Sequence, residues 1–218
     1  MTEKTALSPL LSLPAELRNT IWTLVLVQSE QALPNHLFPG APPRRQDRIC
    51  ANVLRTCRQV NNEATPIFYG ENTFTAHPTL LATLPSLLLL TRPHRVSLPP
   101  VKCPRMAKLI RRWYIHVRLD TDPQFGKELA EDSFNGVEEL EIEVFQSMYG
   151  SCDFSKLKLF EGVRGVGRAV VQGSIGDGKY ACWLADAMMK PEGTLVEPYT
   201  ELYIGGDKAW SAWQNGNR

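Results

Sequence analysis

The sequence lacks a cysteine framework and any cluster of metal-binding residues. Its five cysteines form an odd set without a CxxC pair, at positions 50, 57, 103, 152 and 182. A disulfide scaffold uses an even set, and a structural zinc site uses ligands paired a few residues apart. We therefore expect reduced thiols, no metal, and an intracellular protein of the cytoplasm or nucleus.

Long hydrophobic runs are also missing. The most apolar stretch extends only from Leu80 to Leu90 and contains Pro85, whereas a helix that spans a bilayer needs about 20 apolar residues. The first residues, Met1 to Thr5, lack the basic region and apolar run of a secretory signal. We expect no membrane association.

Neither sign of charge is in excess, since 24 Lys and Arg residues balance 23 Asp and Glu residues. One segment mixes basic residues with aromatic ones and histidine, namely Lys102, Arg105, Lys108, Arg111, Arg112, Trp113, Tyr114 and His116. Such a mixture is a feature of nucleic-acid interfaces, and it would also suit an acidic segment of a protein. The neutral balance of the whole chain favours a solvated lead-in to a strand, and we do not expect nucleic acid as a partner.

Catalytic motifs are absent as well. No serine lies in a G-x-S-x-G sequence, no Walker motif occurs, and the glycines near positions 162–178 do not follow the order G-x-G-x-x-G. The four histidines, at positions 36, 77, 94 and 116, lie mostly beside prolines. We therefore expect no intrinsic enzymatic activity and no cofactor.

What the sequence does contain is a pair of amphipathic helices near its start. After Pro14, apolar residues at Leu17, Ile21, Leu24 and Val25 follow helical spacing and predict a helix to about Gln28. Prolines then predict a surface loop over residues 31–48. A second helix is predicted from Cys50 or Ala51, ended or kinked by Pro66. Its apolar stripe consists of Val53, Leu54, Cys57, Val60 and Ala64.

The second half of the chain has the alternating pattern of strands. Strands are predicted over residues 113–119, 137–144 and 163–171, and a helix is predicted over residues 180–188. The strands are spaced by about 25 to 28 residues, which falls within the range of leucine-rich repeats. Five prolines between residues 85 and 104 indicate a linker before this region.

Two clusters of residues resemble a known family. The segment from Leu13 to Trp22, with the sequence LPAELRNTIW, resembles the first helix of the F-box, whose usual form is Leu-Pro-x-Glu-Leu-x-x-x-Ile. The segment from Leu54 to Phe74 is similar to the corresponding part of a large group of F-box-like proteins from filamentous fungi. The resemblance is most specific over residues 8–76.

The resemblance implies an α+β protein in which an F-box-like helical module precedes a small leucine-rich-repeat-like region of strands and helices. On this basis we assign residues 8–76 to the helical module and 77–108 to a proline-rich connection. Residues 109–204 are assigned to the repeat-like region and 205–218 to a flexible tail.

The implied function is protein-interaction adaptor and substrate receptor of an SCF-type cullin–RING ubiquitin ligase. The helices would dock on the Skp-family adaptor while the C-terminal region holds an unknown protein substrate, so the chain is at most a non-catalytic subunit. Matched position by position, the docking residues are Leu13, Pro14, Leu17 and Ile21. We add Trp22, which lies beside the main stripe, because an exposed tryptophan is a frequent interface anchor.

The insertion at residues 31–48 departs from the compact form of an ordinary F-box. It motivates an alternative function, a non-ligase protein-interaction scaffold in which the F-box-like helices are part of the core. Burial of the face from Leu13 to Trp22 against residues after 110 would favour this alternative, and an open face would count against it.

Overall fold

A computed structural model describes residues 8–28, 49–91, 94–146, 154–176 and 178–200. The loop predicted at residues 31–48 and the tail predicted at residues 205–218 lie outside the described residues. The chain divides into two compact units, Met1–Asn72 with Leu89–Val96, and Thr73–Leu88 with Ser97–Arg218. Helices and strands are mixed along the chain, which confirms the α+β class.

The helices of the first unit match the sequence pattern only in part. They are α1 (Ala15–Leu26), a 3₁₀ helix (Ala51–Arg55) and α2 (Arg58–Glu71). The first helix is confirmed, but the continuous second helix is wrong, because Cys57 is extended, with φ −157° and ψ 167°. Cys57 is the N-cap of α2, where its Sγ accepts a hydrogen bond from the Val60 amide at 3.5 Å.

Pro66 does not end α2, which continues to Glu71. A proline inside a helix removes the hydrogen bond to the carbonyl four residues earlier, here that of Asn62. Both Pro66 and Asn62 are exposed, so water can hydrate this carbonyl. Burial of the neighbouring Ala64 and Phe68 then holds the helix together on its other side.

A six-stranded sheet has the order β3-β2-β1-β4-β5-β6. Its strands are β1 (Thr73–His77), β2 (Leu81–Thr91), β3 (His94–Ser97), β4 (Arg112–Arg118), β5 (Glu139–Phe145) and β6 (Arg168–Gly173). The β1–β2 pair is antiparallel, whereas β1, β4, β5 and β6 are mutually parallel in that order. The strands predicted in the second half of the chain are confirmed, although β6 begins five residues later than the pattern indicated.

The segment at residues 77–108, expected to be a proline-rich connection, contains β2, β3 and a short helix, α3 (Pro104–Ala107). Pro85 lies inside β2, near the place where the pairing with β1 changes register, between Thr75 and His77. A register irregularity tolerates proline because the ladder there does not need its missing amide hydrogen. The proline count therefore misidentified a strand as a linker.

One face of the parallel strands forms the core of the second unit. Trp113, Ile115 and Val117 on β4 are buried, as are the alternate residues of β5. Helices α4 (Lys127–Phe134) and α5 (Lys179–Met188) contribute buried aromatic rings, and the ring of Phe134 meets that of Trp113 edge-on at 5.8 Å. The helix predicted over residues 180–188 is confirmed. No helix in the described part of the chain is both long and apolar enough to cross a membrane.

Candidate functional site

Helix α1 has two apolar faces that point in different directions. At 3.6 residues per turn, Trp22 and Leu26 lie about 140° and 180° around the helix from Leu17. Trp22 is 1% exposed and Leu26 is fully buried, whereas Leu17 is 53% exposed and Leu24 is 79% exposed. The helix therefore buries the face opposite the stripe that the sequence pattern emphasised.

We call Leu17, Ile21 and Leu24 the outer face of α1. Ile21 is half-buried at its edge, Pro14 is exposed at the N-cap and Leu13 is half-buried just before the helix. Four of the five predicted docking residues thus lie on or beside the outer face. The expectation that Trp22 is exposed is wrong: Trp22 and Leu26 form a second i, i+4 pair, and this pair is the one that packs inward.

A carboxylate on α2 holds the inner face of α1. The guanidinium of Arg18 forms a bidentate pair with the carboxylate of Glu63, in which Nε donates to Oε2 at 2.9 Å and Nη2 donates to Oε1 at 2.7 Å. The Trp22 indole donates to the same carboxylate at 3.3 Å, and Gln59 donates to it at 3.1 Å. Such a bidentate pair fixes direction as well as distance, so α1 is held in one rotational setting against α2.

Arg18 also organises the chain just before α1. Its Nη1 donates to the carbonyl of Leu13, and to that of Leu11 at 3.4 Å. One guanidinium therefore joins the Leu-Pro segment, α1 and α2. Arg18 therefore has a positioning role.

The hydrogen bonds to Glu63 shift its ionisation. They lower the pKa of the Glu63 carboxyl from 4.5 to about 2, chiefly through Arg18 and then through Gln59, against an opposing effect of burial. The pKa of Arg18 is raised by the same pairing. The pair is therefore charged throughout the physiological range.

The other end of α1 is held by the side chain of Asn72. This residue is 2% exposed. Its Nδ2 donates to the carbonyls of Leu26 and Phe68, both at 2.8 Å, and its Oδ1 accepts from the amide of Gln28 at 3.0 Å. Asn72 thus satisfies backbone groups at the C-terminal ends of both helices, where the helices themselves leave carbonyls without partners.

The result is a fixed helix with an apolar strip on its outer side. Thr20 lies within this side, and its hydroxyl donates to the Glu16 carbonyl at 3.0 Å. This hydrogen bond remains when a partner covers the strip. The hydroxyl therefore keeps a hydrogen-bonding partner after water is displaced. Chemically, the arrangement suits binding of another apolar surface.

No protein-family model, no curated protein and no solved structure matches this chain. The residues that position the outer face, Arg18, Glu63 and Asn72, were not identified from sequence. One signal was available for Arg18, which lies four residues before Trp22 and so shares its side of α1. For the contacts that Glu63 and Asn72 make with α1 no local signal exists, because their partners there are more than 40 residues away.

Proposed function

We propose that this chain is an F-box-like protein-interaction adaptor whose outer face binds the Skp-family subunit of an SCF-type ubiquitin ligase. The observation that supports the proposal most strongly is the exposure of Leu17 and Leu24 on a helix whose opposite face is locked in place. Single exposed leucines are common on proteins. Two that face the same way on a rigid helix, with Ile21 between them, make a contiguous apolar strip that a partner can cover.

The physical gain from docking can be approximated from the exposed fractions. Complete burial of one leucine side chain stabilises by roughly 1.5–3 kcal/mol, so covering the exposed parts of Leu17 and Leu24 contributes roughly 3 kcal/mol. Because Arg18, Glu63 and Asn72 already hold the helix, little conformational entropy is lost on binding. The outer face is therefore suited to be the central part of a larger interface.

The repeat-like region is proposed as the substrate-binding part. In support, β4, β5 and β6 are parallel, and the paired residues Arg112, Glu139 and Arg168 are 27 and 29 residues apart along the chain. The face of these strands opposite the core carries several polar pairs, with Arg168 bound to Glu139 at 2.7 Å and Gln172 to Glu141 at 2.8 Å. This spacing and layering suit a short leucine-rich-repeat-like array of the fungal F-box-like group, acting in the cytoplasm or nucleus.

Co-expression of the full chain with a Skp-family adaptor tests the proposal. Wild type should co-purify with the adaptor, and Leu17→Asp combined with Leu24→Asp should abolish co-purification because two charges would be buried at the interface. Leu195→Asp is the matched control, since Leu195 is 98% exposed and lies in the other unit. Absence of the adaptor from wild-type preparations, or its presence with the double variant, would contradict the proposal.

The second candidate function is a non-ligase interaction scaffold. The burial of Trp22 and Leu26 favours it in part, because one face of α1 belongs to the core of its unit, where Arg18 and Trp22 bind Glu63 of α2. In this case the outer face would bind a partner other than a Skp-family protein. A folded wild-type chain that fails to bind the adaptor would support the scaffold.

A further inference from the structure

The neutral net charge conceals a strong segregation of charge. Residues 72–119 contain eight Lys or Arg residues and no Asp or Glu. All 23 acidic residues lie elsewhere in the chain, together with 16 basic ones. The segment that leads into β4 is therefore the one place where a row of cations has no acidic neighbours in sequence.

The winding of this segment brings two of its cations together. The helix α3 and the turn after it hold residues 103–110: the amides of Met106, Leu109 and Ile110 donate to carbonyls three residues earlier, and those of Ala107 and Lys108 to carbonyls four residues earlier. In either winding residues three apart lie near one side, so Arg105 and Lys108 are neighbours. One further exposed cation precedes these turns and another follows them, and we call the four the basic row: Lys102, Arg105, Lys108 and Arg111.

The residues between these cations are apolar. Ala107 and Ile110 are 8% and 6% exposed and anchor the segment in its unit. Met106 and Leu109 are half-buried between the anchors and the cations. The turn that carries Arg105 and Lys108 is therefore anchored in its unit, and the half-buried side chains of Met106 and Leu109 lie beside the basic row.

No ion pair joins the basic row to any residue that the structure describes. Glu138, whose backbone lies beside Arg111, directs its carboxylate to Arg112 at 3.2 Å. Glu138 and Glu139 reach Arg111 only through their backbone amides, which donate to its carbonyl at 3.0 and 3.1 Å. Like charges at this spacing repel one another, and an anionic partner would relieve that repulsion.

We propose that the basic row binds an acidic segment of another protein, with an apolar side chain of that segment placed on Met106 and Leu109. Nucleic acid fits less well, because the adjacent Trp113 and Tyr114 are 2% and 6% exposed and offer no surface on which bases could stack. This inference does not depend on what α1 binds.

Fluorescence anisotropy with the full chain tests the inference. The probe is a labelled peptide of about ten alternating Asp and Glu residues around one central leucine, and its comparison is the same peptide with Gln and Asn in their place. Wild type should bind the acidic peptide at least about tenfold more tightly than the neutral one. Binding should also weaken severalfold as salt rises from about 0.05 to about 0.5 M.

A pair of charge-matched variants locates the binding site. One replaces the four cations of the basic row with glutamine; the other replaces four exposed cations elsewhere, namely Arg55, Arg58, Lys158 and Lys190. Binding should fall about tenfold or more only in the first variant. Equal losses of affinity in both variants would mean that binding depends only on the net charge of the chain, and this would overturn the proposal. A labelled oligonucleotide that binds the basic row more tightly than the acidic peptide would also overturn it, in favour of nucleic acid.

Discussion

Replacing Asn72 with alanine should weaken the attachment of α1 to α2. The substitution removes three hydrogen bonds, to Leu26, Phe68 and Gln28, from a side chain that is 2% exposed. A hydrogen bond contributes about 1 kcal/mol net, and a buried group that loses its partner adds to the cost. We therefore expect the free energy of unfolding to fall by about 3–5 kcal/mol, a large fraction of the stability of an ordinary domain.

Urea denaturation followed by far-ultraviolet circular dichroism measures this loss. The matched control is Asn61→Ala, since exposed Asn61 makes one side-chain hydrogen bond, to the Leu54 carbonyl at 2.8 Å. The control should cost no more than about 1 kcal/mol. If Asn72→Ala costs as little as the control, Asn72 does not hold the two helices together and the reasoning is refuted.

Asn72→Asp provides a second test of the same geometry. The carboxylate would replace an amide that donates to two carbonyls, so acceptor would face acceptor and burial would raise the pKa of the new carboxyl. A protonated carboxyl could again donate to one carbonyl. The destabilisation should therefore be smaller near pH 4 than at pH 7, whereas that of Asn72→Ala should be nearly the same at both values.

Three further predictions follow from single contacts. The pKa of Glu63 is lowered to about 2 from an ordinary 4.5, so its ionised form stabilises the fold above pH 4.5 and this contribution is lost as pH falls towards 2. In urea titrations at several pH values, the free energy of unfolding of Glu63→Gln should therefore change less with pH across this window than that of wild type. Trp22→Ala should cost about 3–5 kcal/mol in the same assay, because the side chain is fully buried, whereas Leu17→Ala should cost less than about 1 kcal/mol. Gly173→Ala should cost about 3 kcal/mol or more, since φ is +110° and an added Cβ would lie 2.1 Å from the Val144 carbonyl oxygen; a loss below about 1 kcal/mol would show that the end of β6 can shift.

Local periodicity was sufficient to predict α1, α5 and the three parallel strands β4 to β6. In each, the apolar spacing of a single segment contains the information, as in the alternation of buried residues along β4. Periodicity failed at Cys57, because the apolar stripe of the second helix continues across a residue whose backbone is extended. It also missed β2, where the prolines outweighed the strand pattern.

The candidate site was predicted less completely than the fold. Two apolar stripes lie on α1, and nothing within the helix indicates which one packs inward. The inward face is determined by Glu63, which binds both Arg18 and Trp22. These contacts join residues that are more than 40 positions apart, so no local pattern reveals them. Helix α4 was missed for a related reason, since only Ala130 and Phe134 are buried in it and two residues do not establish a period.

The central claim is that the outer face of α1 is a docking surface, and calorimetric titration of a purified Skp-family adaptor into the full chain tests it most directly. The wild-type chain should bind, and Leu24→Asp should weaken binding at least about tenfold, which corresponds to about 1.4 kcal/mol. Leu195→Asp changes a residue that is more exposed than Leu24, 98% against 79%, and lies in the other unit, and this variant should bind as wild type does. No binding by the wild-type chain, or equal binding by Leu24→Asp, would contradict the claim.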